Sequence, residues 1–109
     1  MQARLAAGLD EIEAAMKTVG FWSSEPPEPE ALASMMPFCH DTLFFHEWLQ
    51  WVFLPRMRAL LESDERPPMV AHIHPMAEHS FAERPEDTAG LEAAIARFDA
   101  LAVEWHESR

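Results

Sequence analysis

From residue 43 to residue 61 the chain reads Leu43-Phe44-Phe45-His46-Glu47-Trp48-Leu49-Gln50-Trp51-Val52-Phe53-Leu54-Pro55-Arg56-Met57-Arg58-Ala59-Leu60-Leu61. Its first half is apolar on nearly every side of a helix, with one polar sector at His46, Glu47 and Gln50. A helix apolar nearly all round is normally the central one of its assembly. Asp41 or Thr42 is placed to cap it by accepting a bond from a first-turn amide. Pro55 cannot donate to the carbonyl of Trp51, so the pattern predicts a kink there. Leu49 and Trp51 are expected in the core.

On the N-terminal side, Leu5, Leu9, Ile12, Met16 and Val19 recur at steps of four, three, four and three, one stripe of an amphipathic helix. Gly20 can supply the left-handed residue that ends it, with Phe21 falling back on Met16. Residues 23–30, Ser-Ser-Glu-Pro-Pro-Glu-Pro-Glu, break the helix into an extended connector, because each proline pushes its predecessor out of the helical region. Trp22 and Leu32 flank it, which predicts that it packs on the domain. A helical turn is expected from Glu30 to Met35, ended by Pro37.

On the C-terminal side, Pro67-Pro68 marks a chain reversal over residues 62–70. A short helix is expected from Pro75 to about Ala82, since proline suits a first-turn position. Pro85-Glu86-Asp87 opens the last helix with acids at the favourable dipole end. Leu91, Ile95, Phe98, Leu101 or Ala102, and Trp105 make its inner stripe. No run alternates apolar and polar residues as a strand would. The reading is all-α: a single domain over residues 1–109, built as a bundle of about four or five helices around residues 43–61.

Composition fits that reading and narrows the function. A chain of 109 residues can bury roughly 65% of its unfolded surface, enough for one modest core. The single cysteine, Cys39, excludes an internal disulfide. The opening Met1-Gln2-Ala3-Arg4-Leu5 has no basic region leading into an apolar one, and no apolar run approaches the ~20 residues of a membrane span. A cytoplasmic protein is expected. The formal net charge of -11 repels phosphate backbones, so direct nucleic-acid binding is not expected and a basic protein partner is easier to reconcile.

Candidate site residues are few. Glu47 and Gln50 lie three apart among aromatics and read either as a polar contact point for a partner or as groups that satisfy a cap and the connector backbone. Arg56 can pair with Glu47 or another acid. Phe44, Phe45, Trp48, Trp51 and Phe53 are core by spacing, with an exposed binding or dimer patch as the alternative. His72 and His74, His74 and Glu78, and Glu78 with a distant His40 are the nearest approach to a metal set. None has the spacing of a zinc site, so no metal is expected. Cys39-His40-Asp41 holds the residue types of a thiol nucleophile and its base, but adjacent side chains rarely face each other, so no catalytic residue is assigned.

Trp22, Glu25-Pro26-Pro27-Glu28-Pro29, Pro37-Phe38, Asp41-Thr42 and the block Glu47-Trp48-Leu49-Gln50-Trp51-Val52-Phe53-Leu54-Pro55-Arg56-Met57 together resemble the YqcC-like family of small bacterial proteins. The last block is the most specific part, and Pro75-Met76-Ala77-Glu78 also fits. The resemblance implies an all-α bundle with no established activity; separately, no residue pattern calls for a cofactor, and none is expected. The resemblance also implies a gene often placed beside a tRNA pseudouridine synthase. Such a synthase needs a much larger fold with a catalytic aspartate and a basic surface, so the label is not transferred. The expectation is a non-enzymatic interaction or accessory module, with a protein partner such as a basic RNA-modifying enzyme, or a second copy. The alternative is a small-molecule-binding bundle using the aromatic face. The candidate contact residues are Glu47, Trp48, Gln50, Trp51 and Arg56.

Overall fold

Helix α1 (Gln2–Val19) forms on the expected stripe: Leu5, Leu9, Ile12 and Met16 are completely buried. Its end is a glycine cap. Gly20 takes φ 92°, its N–H donates to the carbonyls of Met16 and Lys17, and the Phe21 N–H reaches back to the Met16 carbonyl at 2.9 Å. This turn delivers the Phe21 ring to the core. The computed structural model describes residues 2–33, 43–63, 65 and 72–107. Asp41, Thr42, Cys39, His40, Pro37 and Pro67-Pro68 lie outside the described residues, and so do the expectations placed on them.

A one-turn helix, α2 (Pro29–Leu32), follows the connector. The central rod runs through three joined pieces: α3 (Phe45–Trp48), a π-helical turn (Leu49–Phe53) and α4 (Leu54–Glu62). Phe44 occupies the N-cap position, and the Glu47 carboxylate accepts its N–H at 2.8 Å. The break expected at Pro55 takes the form of the π turn. The Leu54 N–H donates to the Leu49 carbonyl, five residues back, so the ladder widens just ahead of the proline that would clash with a regular one.

The burial pattern along the rod corrects one core assignment. Buried positions along the rod are Phe45, Leu49, Gln50, Phe53, Leu54 and Met57. Leu49 is fully enclosed as expected, but Trp51 is half-buried and lies outside the core cluster. Trp51 follows the fully buried Leu49 by two positions, about 200° around a helix of 3.6 residues per turn, so it faces away from the side that Leu49 turns to the core.

Helix α5 (His74–Phe81) starts one residue before Pro75. Helix α6 (Ala89–Glu107) starts later than its acidic prelude suggested, because Thr88 and Asp87 form its entry: the Asp87 carboxylate accepts the Ala89 N–H at 3.2 Å. Leu91, Ile95, Phe98, Ala102 and Trp105 are buried, and Leu101 is half-buried, which resolves the stripe in favour of Ala102.

The most extensive helix–helix contact among the described residues joins α1 to α6. Gly8 sits in that seam, where a Cβ would come within 3.2 Å of the Phe98 ring. The rod packs against α1 through α4, where Arg58 reaches Asp10 at 3.2 Å and Glu13 at 2.8 Å. Hydrogen bonds from Lys17 and then Arg58 hold the Glu13 carboxyl below its ordinary range. Helix α5 packs on α6. The architecture is an all-α bundle. Counting the rod as one helix gives five, and no strand occurs among the described residues.

Candidate functional site

Three polar side chains are buried among the described residues: Gln50, Thr88 and Asp99. Each is hydrogen-bonded, as burial in a low-dielectric interior requires. The Gln50 side-chain amide pairs with the backbone of Ser23, accepting from its N–H at 2.9 Å and donating to its carbonyl at 2.5 Å. Gln50 thereby pins the start of the connector, 27 residues away in sequence, to the rod. The Asp99 carboxylate accepts the N–H of Ile73 at 3.1 Å and of His74 at 2.7 Å. It caps α5 from a different helix, satisfying two amides that the helix itself leaves free. Nothing in local sequence marks Asp99 for this role, because its partners lie 25 and 26 residues earlier in the chain. The Thr88 hydroxyl donates to the Glu92 carboxylate at 2.6 Å.

The five residues singled out in the sequence make separate contacts. Glu47 caps the rod and Gln50 clasps Ser23, so both make the backbone contacts foreseen as their structural role. Trp48 is half-buried against the core, with its ring 5.8 Å from Phe45 and 5.5 Å from Phe53. Trp51 is half-buried and lies outside the core cluster. Arg56 is exposed and makes no ion pair among the described residues; the arginine that ties the rod to α1 is Arg58.

A different group assembles at the N-terminal end of the rod. Phe44 is 65% exposed, the largest such apolar exposure among the described residues. Its ring stacks on His46, with centroids 5.7 Å apart and planes 7° apart. On its other side His46 stacks on Phe21 at 4.6 Å. The Arg84 guanidinium lies 4.9 Å from the Phe21 ring and 5.9 Å from the Phe44 ring, held by two bonds to the Glu86 carboxylate. Burial of the imidazole, helped by the Arg84 charge, pushes the His46 pKa down, while Glu47 and Glu86 pull the other way. His46 therefore serves as a neutral ring in an aromatic stack. Beside the stack opens a cleft of about 630 Å³, walled by Phe44, Phe45, His46, Met76, His79 and Arg84. Sequence spacing marked Phe44 as apolar and His46 as polar. It carried no signal that Phe21 and Arg84 would meet them, since those come from distant turns.

A second group lies where α5 meets α6. His74 Nδ1 is 3.3 Å from Glu78 Oε1, one helical turn on. Glu92 joins them from α6, and the three possible ligand atoms lie within 4.8 Å of one another.

Comparison with known proteins gives the lineage. The chain is 43% identical over 75 residues to an uncharacterised protein of Haemophilus influenzae, covering 69% of this chain and 71% of that one. It is 33% identical over 98 residues to the uncharacterised protein YqcC of Escherichia coli, covering 90% of each. The solution NMR structure of that YqcC superposes with a TM-score of 0.80 at 29% identity, over 99% of this chain and 90% of the other. A shorter stretch of 56 residues, 51% of this chain, is 55% identical to a protein of Pectobacterium carotovorum named tRNA pseudouridine synthase C, of which it covers 15%. Sequence, fold and the match of residues 4–101 to its family model agree: the chain belongs to the DUF446 family, whose model is described as tRNA pseudouridine synthase C and which includes proteins like YqcC.

Proposed function

We propose that this domain is a non-enzymatic interaction module that engages a basic protein partner, and that the partner is a tRNA-modifying enzyme of the pseudouridine synthase class. The observation that carries the reading is Phe44. A ring 65% exposed, held rigid by stacking on His46 at the mouth of an apolar cleft, has the form of an interface anchor. The buried polar groups support a role without catalysis, since Gln50, Thr88 and Asp99 are all engaged in holding the fold. The net charge of -11 suits a basic partner and disfavours direct contact with RNA phosphates. The link to tRNA modification rests on the family description and on the 56-residue stretch shared with a much longer protein named as a synthase.

The test is titration of this chain against purified tRNA pseudouridine synthase C of the same cell, over a salt series. Saturable binding is expected, weakening as salt screens the attraction. Phe44→Ala should weaken it at least ~10-fold, the mark of an anchor residue. Absence of binding between two folded proteins sinks the reading. Self-association that strengthens with salt would instead assign the face to a homodimer, because screening relieves the repulsion of like-charged copies.

The cleft supports a second reading. Its volume of about 630 Å³ falls in the range of small-molecule sites, with aromatic walls and a few polar groups. A small apolar or aromatic ligand retained through purification, and lost in Phe44→Ala, would favour a ligand-binding bundle.

A further inference from the structure

The contact between α5 and α6 brings together three side chains with the chemistry of a metal site. His74 and Glu78 are four apart on one face of α5, and Glu92 comes from the first turn of α6, 14 residues beyond Glu78. Spacing along the chain does not reveal this set, because its third member arrives only when the two helices pack. We propose that His74, Glu78 and Glu92 form a binding site for one divalent transition-metal ion of the zinc type, with one imidazole nitrogen and two carboxylate oxygens as ligands.

Geometry is the first support. Zinc–nitrogen and zinc–oxygen bonds are about 2.0–2.2 Å, which puts neighbouring ligand atoms of a tetrahedral ion about 3.4 Å apart. His74 Nδ1 and Glu78 Oε1 already stand at 3.3 Å. The widest separation in the set is no more than 4.8 Å. Closing it takes a shift of about 1.4 Å, within reach of carboxylates on exposed or half-exposed side chains.

Preorganisation is the second. The main chain that carries His74 is anchored, because its backbone N–H is held at 2.7 Å by the buried Asp99. Glu92 is oriented by the hydroxyl of the buried Thr88 at 2.6 Å. A ligating carboxylate that is itself hydrogen-bonded is the usual outer-shell arrangement of metal sites. Glu78 is exposed and already lies beside His74.

Charge is the third. Two carboxylates and a neutral imidazole carry -2, which a divalent ion cancels, in a chain whose net charge is -11. Three protein ligands leave a fourth position for water or for a donor from a partner. One imidazole and two carboxylates form a nitrogen–oxygen set that suits zinc, cobalt or manganese better than the thiophilic copper(I).

The experiment is calorimetric titration of the untagged, full-length chain with Zn²⁺, and with Co²⁺ followed by its visible absorption. One ion per chain is expected, with a Co²⁺ spectrum of low-coordinate type. Glu92→Gln keeps the shape and a partner for Thr88, so the fold survives; it should weaken binding at least ~10-fold. His74→Gln should do the same. His106→Gln, at a histidine of α6 outside both the cluster and the cleft, should change nothing. Three results overturn the proposal: no saturable binding up to millimolar Zn²⁺, Glu92→Gln binding as tightly as the unaltered chain, or equal loss in His106→Gln. The last two would mean adventitious binding by surface histidines. Circular dichroism of each variant separates a lost site from a lost fold.

Discussion

The α1/α6 seam and the central rod are both long apolar surfaces, yet they close in different ways. The seam is two single stripes that face each other and disappear, with Leu9, Ile12, Leu91 and Phe98 almost wholly enclosed. Gly8 lets the helices approach until Phe98 fills the gap. The rod has more apolar surface than its neighbours cover. Its buried side runs through Phe45, Leu49, Phe53 and Leu54, while Trp48, Trp51 and Val52 stay half-buried and Phe44 is exposed. A stripe that is used up holds a fold together. A surplus that remains, anchored at Phe44, is where a further contact is energetically available.

The largest expected effect tests the seam. Phe98→Ala should cost ~3–5 kcal/mol, since it empties a fully packed ring site. Against a total stability of ~5–15 kcal/mol, the variant should be marginal or insoluble on chemical denaturation. A melting curve close to that of the unaltered protein would break the contrast between seam and rod.

The polar joints come next. Asp99→Ala removes the charged acceptor of the Ile73 and His74 amides and should cost ~1.5–3 kcal/mol. Faster hydrogen exchange should then appear at the start of α5 but not in α1. Gln50→Ala frees the Ser23 backbone and should cost ~1–3 kcal/mol, loosening the connector. Uniform loss of protection in either variant would show that these bonds do not act locally.

On the rod, Trp51→Ala should cost only ~1–2 kcal/mol, because its ring is half-buried. A loss as large as that of Phe98→Ala would restore Trp51 to the core. Phe44→Ala should shift stability by no more than ~0.5 kcal/mol while acting on partner binding.

The His46 stack gives a pH test of the same end of the rod. The fold holds His46 neutral, so its pKa lies below the ordinary 6.5. Above that value neither the folded nor the unfolded chain carries the proton, and the contribution is fully present. As pH falls through 6.5, the unfolded chain takes up a proton that the folded one resists, so stability declines. Denaturation midpoints at pH 7.5 and 5.5 should show this decline, and His46→Gln should flatten it. An equal decline in His46→Gln would trace the effect to other groups.

The amino-acid sequence by itself determined the helical class, the inner stripes of α1 and α6, the glycine cap at Gly20 and the place of a break before Pro55. Each is set by neighbours within a turn or two, through periodicity, a missing N–H or a freely permitted positive φ. Tertiary structure decided the rest. It turned the break at Pro55 into a π turn and left Trp51 outside the core. It gave Gln50 the Ser23 backbone to hold and sent Asp99 to cap a helix that begins 25 residues earlier. It stacked Phe21, His46 and Phe44 beside Arg84, and brought Glu92 up to His74 and Glu78. A hydrogen bond or a ligand set joins atoms a few ångströms apart in space, and only the packing of whole helices fixes which distant residues those are.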